Sequence, residues 1–323
     1  MPLKEGGFNM CGIGGIILLA GKRTGKELRQ IRRISSKLLL QLEKRGSDSS
    51  GIALVNKDYV RVLKQPAKAR QFVKTGQFRL MLRRLSGHTT GILLHTRAAT
   101  KGSRDNNDNN HPIIADDIVG VHNGMIFNDD EVFRNFRQHF SRKAEVDSEA
   151  IFRLIHHYKR SSFMDIKSIR KALRKLYGCM GIAFVDAVNP ACFYIYTNSS
   201  FTPVTLAWLP QLRVFVFASM KEYIKRSISH LKARRHCSYH ALEDNELLRI
   251  TTDREKPESY RAKTKERDYG FRDRTWSLWM PDYAYLLSRG TLYDMLYDYE
   301  VNEKDSQEGK EGKEEQVDLF SFC

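Results

Sequence analysis

"MCGIGGII", residues Met10–Ile17, is the stretch on which the reading of this chain turns, because a cysteine directly after a methionine opens a glycine-rich apolar run. In one reading Cys11 is a small hydrophobe on a buried strand, an ordinary role for a cysteine outside a disulfide. In the other, Met10 is the functional start. Its removal would leave Cys11 first in the chain, with a thiol and a free α-amine on one residue. The rest of the sequence has to decide between the two.

The 323 residues suffice for one large domain, or one domain and an appendage. A hydrophobic share of 41% with 11% aromatics is that of a globular protein. No run reaches the roughly 18 apolar residues of a membrane helix, so no membrane role is expected. "MPLKEGGFN", residues 1–9, lacks the apolar core of a secretion signal. Cys11, Cys179, Cys192, Cys237 and Cys323 are odd in number and contain no CxxC pair, which argues against a disulfide framework and fits a reducing, cytoplasmic setting. The histidines show no metal-ligand spacing, so neither a metal nor another cofactor is expected. The net charge of +16 draws polyanions and makes nucleic acid or an anionic substrate a candidate partner.

Along the chain, 12–19 reads as a buried strand and 26–43 as a helix, with Leu28, Ile31, Ile34, Leu38 and Leu42 at helical spacing. Strands at 52–55 and 60–63 flank "NKD", a hairpin signal. Pro66 opens a helix to about residue 85. Strands are expected at 92–95 and 118–122, then helices from "NDDEVFRNF", at 148–158 and at 164–176. Four short strands at 182–185, 192–196, 204–209 and 213–217 and a helix at 221–231 complete this region. The mixture predicts a layered α and β domain, and periodicity alone leaves the layering open. Beyond residue 232 the chain turns charged and then aromatic, and "NEKDSQEGKEGKEEQ" has almost nothing to bury.

Behind Cys11 stand "RGSDSSGIAL" from Arg45, "LLHTRAATKG" from Leu93, "VHNGMIFND" from Val121 and "VDSEAI" from Val146. Each sets polar residues against apolar strand, the pattern of chemical groups held at strand ends. The set, in this order, resembles the class II glutamine amidotransferases, members of the N-terminal nucleophile hydrolases. The resemblance spans about Cys11 to Lys225. "HPI" at His111, "GCMGIAFVD" at Gly178 and "FVFAS" at Phe215 add to it. It implies an α+β fold, a four-layer αββα sandwich, with a short irregular basic C-terminal extension. The expected organisation is 1–10 a leader or mis-assigned start, 11–231 the type 2 amidotransferase domain, 232–301 a basic and aromatic extension, and 302–323 a disordered acidic tail with an apolar tip.

The resemblance also implies roles. Cys11 supplies the nucleophile and its α-amine, of ordinary pKa about 7.7–8.0, shuttles the proton. Asn123 and Gly124 stabilise the oxyanion. Arg97 takes the α-carboxylate of glutamine and Asp147 its α-ammonium, Thr100 and His122 line the pocket, and Arg45 orders it. Taken singly, each residue has a plainer reading: a structural cysteine, an Asn-Gly turn, a helix cap at Asp147, a surface ion pair at Arg97. Ala98 stands where many relatives have an aromatic residue, and the loop 103–110 is enlarged, so γ-glutamyl amides or peptides other than glutamine also fit. So does an inactive relative that only binds.

No pyrophosphatase loop or Walker A motif follows, so ammonia is expected to pass to an acceptor synthase on another chain. "QVDLF" resembles the peptide with which bacterial replication proteins dock on the sliding clamp, through Gln316, Leu319 and Phe320. In that case the basic stretch Arg254–Trp279 would contact nucleic acid. The amine mechanism further expects residues 1–10 to be absent from the active protein, through initiation at Met10 or cleavage.

Overall fold

A computed structural model describes residues 10–159, 164–253, 259–263 and 315–317. Strand β1 (Gly12–Leu18) leads through Thr24 into helix α1 (Gly25–Leu42). Thr24 and Glu27 form a reciprocal capping box, so the helix starts where its unpaired N–H groups find acceptors. Strands β2 (Ser49–Asn56) and β3 (Val60–Gln65) make the expected hairpin. The single helix expected after Pro66 is instead two, α2 (Ala69–Phe72) and α3 (Gly76–Arg83). Thr75 divides them: its hydroxyl accepts from Phe78 N–H to cap α3, and Gly76 favours an end over an interior.

Next come β4 (Thr89–Arg97), β5 (Ile113–Ala115), β6 (Ile118–Ile126), and the helices α4 (Asp129–Asn135), α5 (Ser148–Tyr158) and α6 (Ile166–Leu173). They are followed by β7 (Gly178–Asp186), β8 (Cys192–Thr197), β9 (Thr205–Leu209), β10 (Val214–Ala218) and α7 (Lys221–Ser227). The described elements end with β11 (Ser238–Ala241), β12 (Glu246–Thr251), β13 (Ser259–Lys263) and β14 (Glu315–Val317).

Two antiparallel sheets result, ordered β11-β9-β10-β1-β4-β2-β3 and β14-β13-β12-β8-β7-β6-β5. The central strands β1, β2 and β4 of the first sheet are buried on both faces, as is most of β6, β7 and β8 in the second, and side-chain alternation sorts the apolar residues into three cores. Ile16 and Leu18 of β1, with Ile92 and Leu94 of β4, pack under α1, α3 and α7. Ile118, Ile182 and Phe184 pack under α5 and α6. Between the sheets lie Ile13, Ile17, Leu93, Val119, Val121, Ala183 and Phe217. The layers are therefore helix, sheet, sheet, helix.

The expected boundary at residue 231 falls inside this sandwich. β11 pairs with β9 in the first sheet, and β12 pairs with β8 in the second. Of the expected tail, only 315–317 is described, with Gln316 in β14 opposite Tyr260 of β13. Leu319, Phe320 and most of Arg254–Trp279 lie outside the described residues. Among the described residues no helix is long and apolar enough to cross a membrane.

Candidate active site

Strand parity decides which side chains meet. Ile13 and Ile17 of β1 face the second sheet, so Cys11 falls on that same side, one residue before β1 begins. Gly12 pairs with Thr96, which sets Cys11 beside the Arg97 end of β4. Leu93 faces inward on β4, and Arg97, two pairs of residues on, shares its face. On β6, Val119 and Val121 face inward, and Asn123 continues that row. One end of the inter-sheet layer thus collects Cys11, Arg97 and Asn123.

Cys11 is held by contacts distant in sequence and Arg97 by the loop that follows it. The Cys11 thiol donates to Ala98 O at 3.6 Å, and Arg45 Nε donates to Cys11 O at 2.9 Å. Ser219, just past β10, accepts from Ile13 N–H at 3.0 Å and fixes the start of β1. Asp48 receives Ala99 N–H at 2.8 Å, tying the turn after β4 to the "RGSD" turn. Arg97 is buried, and its guanidinium donates to Gly102 O at 2.8 Å, Asn110 Oδ1 at 3.1 Å and Lys101 O. The polar loop 101–110 is thereby wrapped around it.

Asp147 occupies the cap position of α5 but makes no side-chain bond to that helix's N–H groups. Its carboxylate accepts from Ile126 N–H at 2.6 Å instead. β5 pairs with β6 only as far as Gly120, so among the described residues this edge of β6 carries no strand neighbour from Val121 on, and Asp147 closes part of it. Gly124 sits at φ +139°, where a Cβ would come 2.0 Å from Cys179 O, so the backbone turn here requires glycine. Asn123 is fully buried, and neither its Oδ1 nor its Nδ2 has a hydrogen-bond partner among the described residues. Such an amide is costly to bury unless something is to fill the gap.

Burial raises the Cys11 thiol to about 11, against lowering by the Ala98 carbonyl contact, Arg97 and Arg45 and further raising by Asp147. All three charged side chains therefore act on the sulfur. At neutral pH roughly one such thiol in ten thousand is ionised, so attack requires a base beside it.

Residues 95–226 match the family described as glutamine amidotransferase domain. The isomerizing glutamine–fructose-6-phosphate aminotransferase of Pyrobaculum aerophilum is 34% identical over 197 residues, 59% of this chain and 30% of the relative. That of Streptococcus mutans is 30% identical over 195 residues, 59% of this chain and 29% of the relative. The chain carries a class II glutamine amidotransferase domain. The match thus spans less than a third of the length of these curated relatives. In fold, the glutamine phosphoribosylpyrophosphate amidotransferase of B. subtilis superposes with a TM-score of 0.60 at 18% identity, over 80% of this chain and 50% of that one. A structure described as the allosteric regulatory enzyme of purine biosynthesis gives 0.61 at 18% identity, over the same 80% and 50%. The two-sheet αββα sandwich is the fold of these structures, the architecture the resemblance implied.

Within the amidotransferase domain, two residues stand apart from the cluster. His122 alternates to the other face of β6 from Asn123, and its Nδ1 lies 2.8 Å from Ser148 Oγ on α5, under the helices. Thr100 is exposed on the turn after β4. The sequence reading missed His95, Asp48 and Ser219 as parts of the site. His95 Nε2 meets His122 O at 2.9 Å, bridging the two sheets one residue before Asn123. The fragments that contain them signalled all three, but their partners are 27 to 206 residues away in the chain.

Proposed function

We propose that the domain hydrolyses the side-chain amide of glutamine through a thioester on Cys11 and releases ammonia for an acceptor on another chain. The observation that carries this reading is the unsatisfied amide of Asn123, on the inner face that Cys11 and Arg97 share. A buried amide donor with no partner among the described residues suits a transition state that develops negative oxygen.

In this reading the free α-amine of Cys11 takes the thiol proton as sulfur attacks the amide carbon. Asn123 Nδ2 and Gly124 N–H receive the oxyanion. The amine returns its proton to the leaving nitrogen, ammonia departs, and water cleaves the γ-glutamyl thioester with the same amine as base. Arg97 exchanges backbone carbonyls for the α-carboxylate, whose two charged oxygens match the planar guanidinium fork in two parallel bonds. Asp147 receives the α-ammonium, and Arg45 keeps the Cys11 main chain in place.

An amide nitrogen on Cys11 has no usable lone pair, so activity requires removal of residues 1–10, with initiation at Met10 and loss of that methionine the simplest route. Ammonia release from glutamine by the chain beginning at Cys11, abolished in Cys11→Ala, tests the reading. Equal turnover by a chain whose intact mass retains Met1 would refute the amine as base. Ala98, small beside the pocket arginine, supports a second reading in which larger γ-glutamyl amides enter. Comparing glutamine with a γ-glutamyl dipeptide separates the two.

A further inference from the structure

The positive charge of this chain is concentrated on one layer. The helices over the first sheet, within residues 25–44, 68–84 and 221–236, carry 18 Lys and Arg against 3 Glu. Their net charge of +15 nearly equals the +16 of the whole chain. The layer over the second sheet, 129–175, carries 12 Lys and Arg against 7 Asp and Glu. The asymmetry belongs to the fold, not to the basic stretch beyond residue 254.

The three segments form one continuous face. α7 packs beside α1, α2 packs on its other flank, and α3 covers β3. Arg32 of α1 donates to Leu82 O at 2.9 Å and Leu85 O at 3.1 Å, which joins α1 to the end of α3. The His230 imidazole, just past α7, is held low by burial and then by Lys37 and Arg33 of α1. Each glutamate is already engaged: Glu27 in its capping box, Glu43 with Arg70, Glu222 with Arg226 at 3.1 Å. Arg29, Arg33, Arg79, Arg83, Arg84 and Lys225 are exposed and in no ion pair among the described residues.

We infer that this helical face docks nucleic acid through its phosphates, independently of the chemistry at Cys11. α1 is about 27 Å long and seven strands span about 29 Å, which matches about eight base pairs of duplex at 3.4 Å each. Ten of the 18 basic residues are arginine, whose planar fork grips phosphate in two parallel bonds. A membrane surface fits less well, since the exposed large hydrophobics here, Leu40, Leu80 and Met220, sit singly on separate elements and form no insertable stripe.

The test is fluorescence anisotropy of the full chain with DNA and RNA duplexes of about 20 base pairs, from about 50 to about 200 mM salt. With about six phosphates engaged, affinity falls about a thousandfold over that range. A variant combining Arg33→Gln, Lys37→Gln, Arg79→Gln, Arg83→Gln and Lys225→Gln binds at least about 30-fold more weakly, with a shallower salt slope. Arg174→Gln with Lys175→Gln, on the opposite layer, binds as the parent does. Unchanged melting temperature shows that the variants fold. Absence of saturable binding at the lowest salt, equal binding by the five-site variant, or equal loss in the opposite-layer variant overturns the proposal. So does tighter binding to phosphatidylserine vesicles than to either duplex.

Discussion

Asn123 and His95 separate activity from stability in opposite ways. Asn123 buries an amide that bonds nothing among the described residues, so the folded chain bears its desolvation, of order 1–3 kcal/mol, without return. Asn123→Ala should therefore leave the melting temperature level or slightly higher while kcat for glutamine falls about 10²–10³-fold and KM holds. A loss of stability in step with the loss of rate would show that the amide has a structural partner. His95 is the converse. Its Nε2 must carry the proton, because His122 O can only accept, and the bond joins the Cys11 sheet to the Asn123 sheet. His95→Leu should cost about 1–3 kcal/mol and lower kcat more than it raises KM, and His95→Gln, which keeps a donor, should restore part of both. If the glutamine variant behaves as the leucine one does, the bond is not what positions Asn123.

At the scale of elements, β4, the loop before β5, and β6 bring three histidines into the interior, His95, His111 and His122. His95 stacks on His111 with ring centroids 4.1 Å apart. Burial holds all three below the ordinary histidine value, His95 to about 3, with the His95 and His111 charges opposed further by neighbouring histidines, Arg97 and Lys64. Because the folded pKa values are depressed, the unfolded chain gains protons first as pH falls. Stability is intact above about 6.5 and lost below it, by about 1.4 kcal/mol per pH unit for each histidine kept neutral. Urea midpoints between about pH 7 and pH 5 should show this slope, and His95→Gln should flatten it. Elements of this kind were legible only where the signal was local. The apolar spacing of α1 is contiguous in sequence, whereas β5 is three residues long and is defined by its pairing with β6. In the candidate site, the resemblance singles out Cys11, Arg97 and Asn123, which strand parity sets on one inner face, while the turning of His122 toward α5 depends on the parity of β6, which no motif carries.

For the whole molecule, the sandwich and the end of the similar region do not coincide. The sequence change near residue 232 reads as the edge of a domain because 238–253 mixes charged and strand-forming residues. In the structure that segment serves two of the three cores: Leu247 packs under α5 and α6, while Leu248 and Ile250 lie between the sheets, all with no exposed surface. Burying three such side chains contributes about 5–9 kcal/mol, a large part of the 5–15 kcal/mol that holds a typical domain together. β11 and β12 also cover β9 and β8, whose backbone groups would otherwise be left as open edges. A chain ending after residue 231 should therefore aggregate or lose cooperative unfolding. One ending after residue 253 keeps all three cores and should unfold in a single transition. Equal melting behaviour of the two would mean that the last strands are an appendage, and the cores close without them.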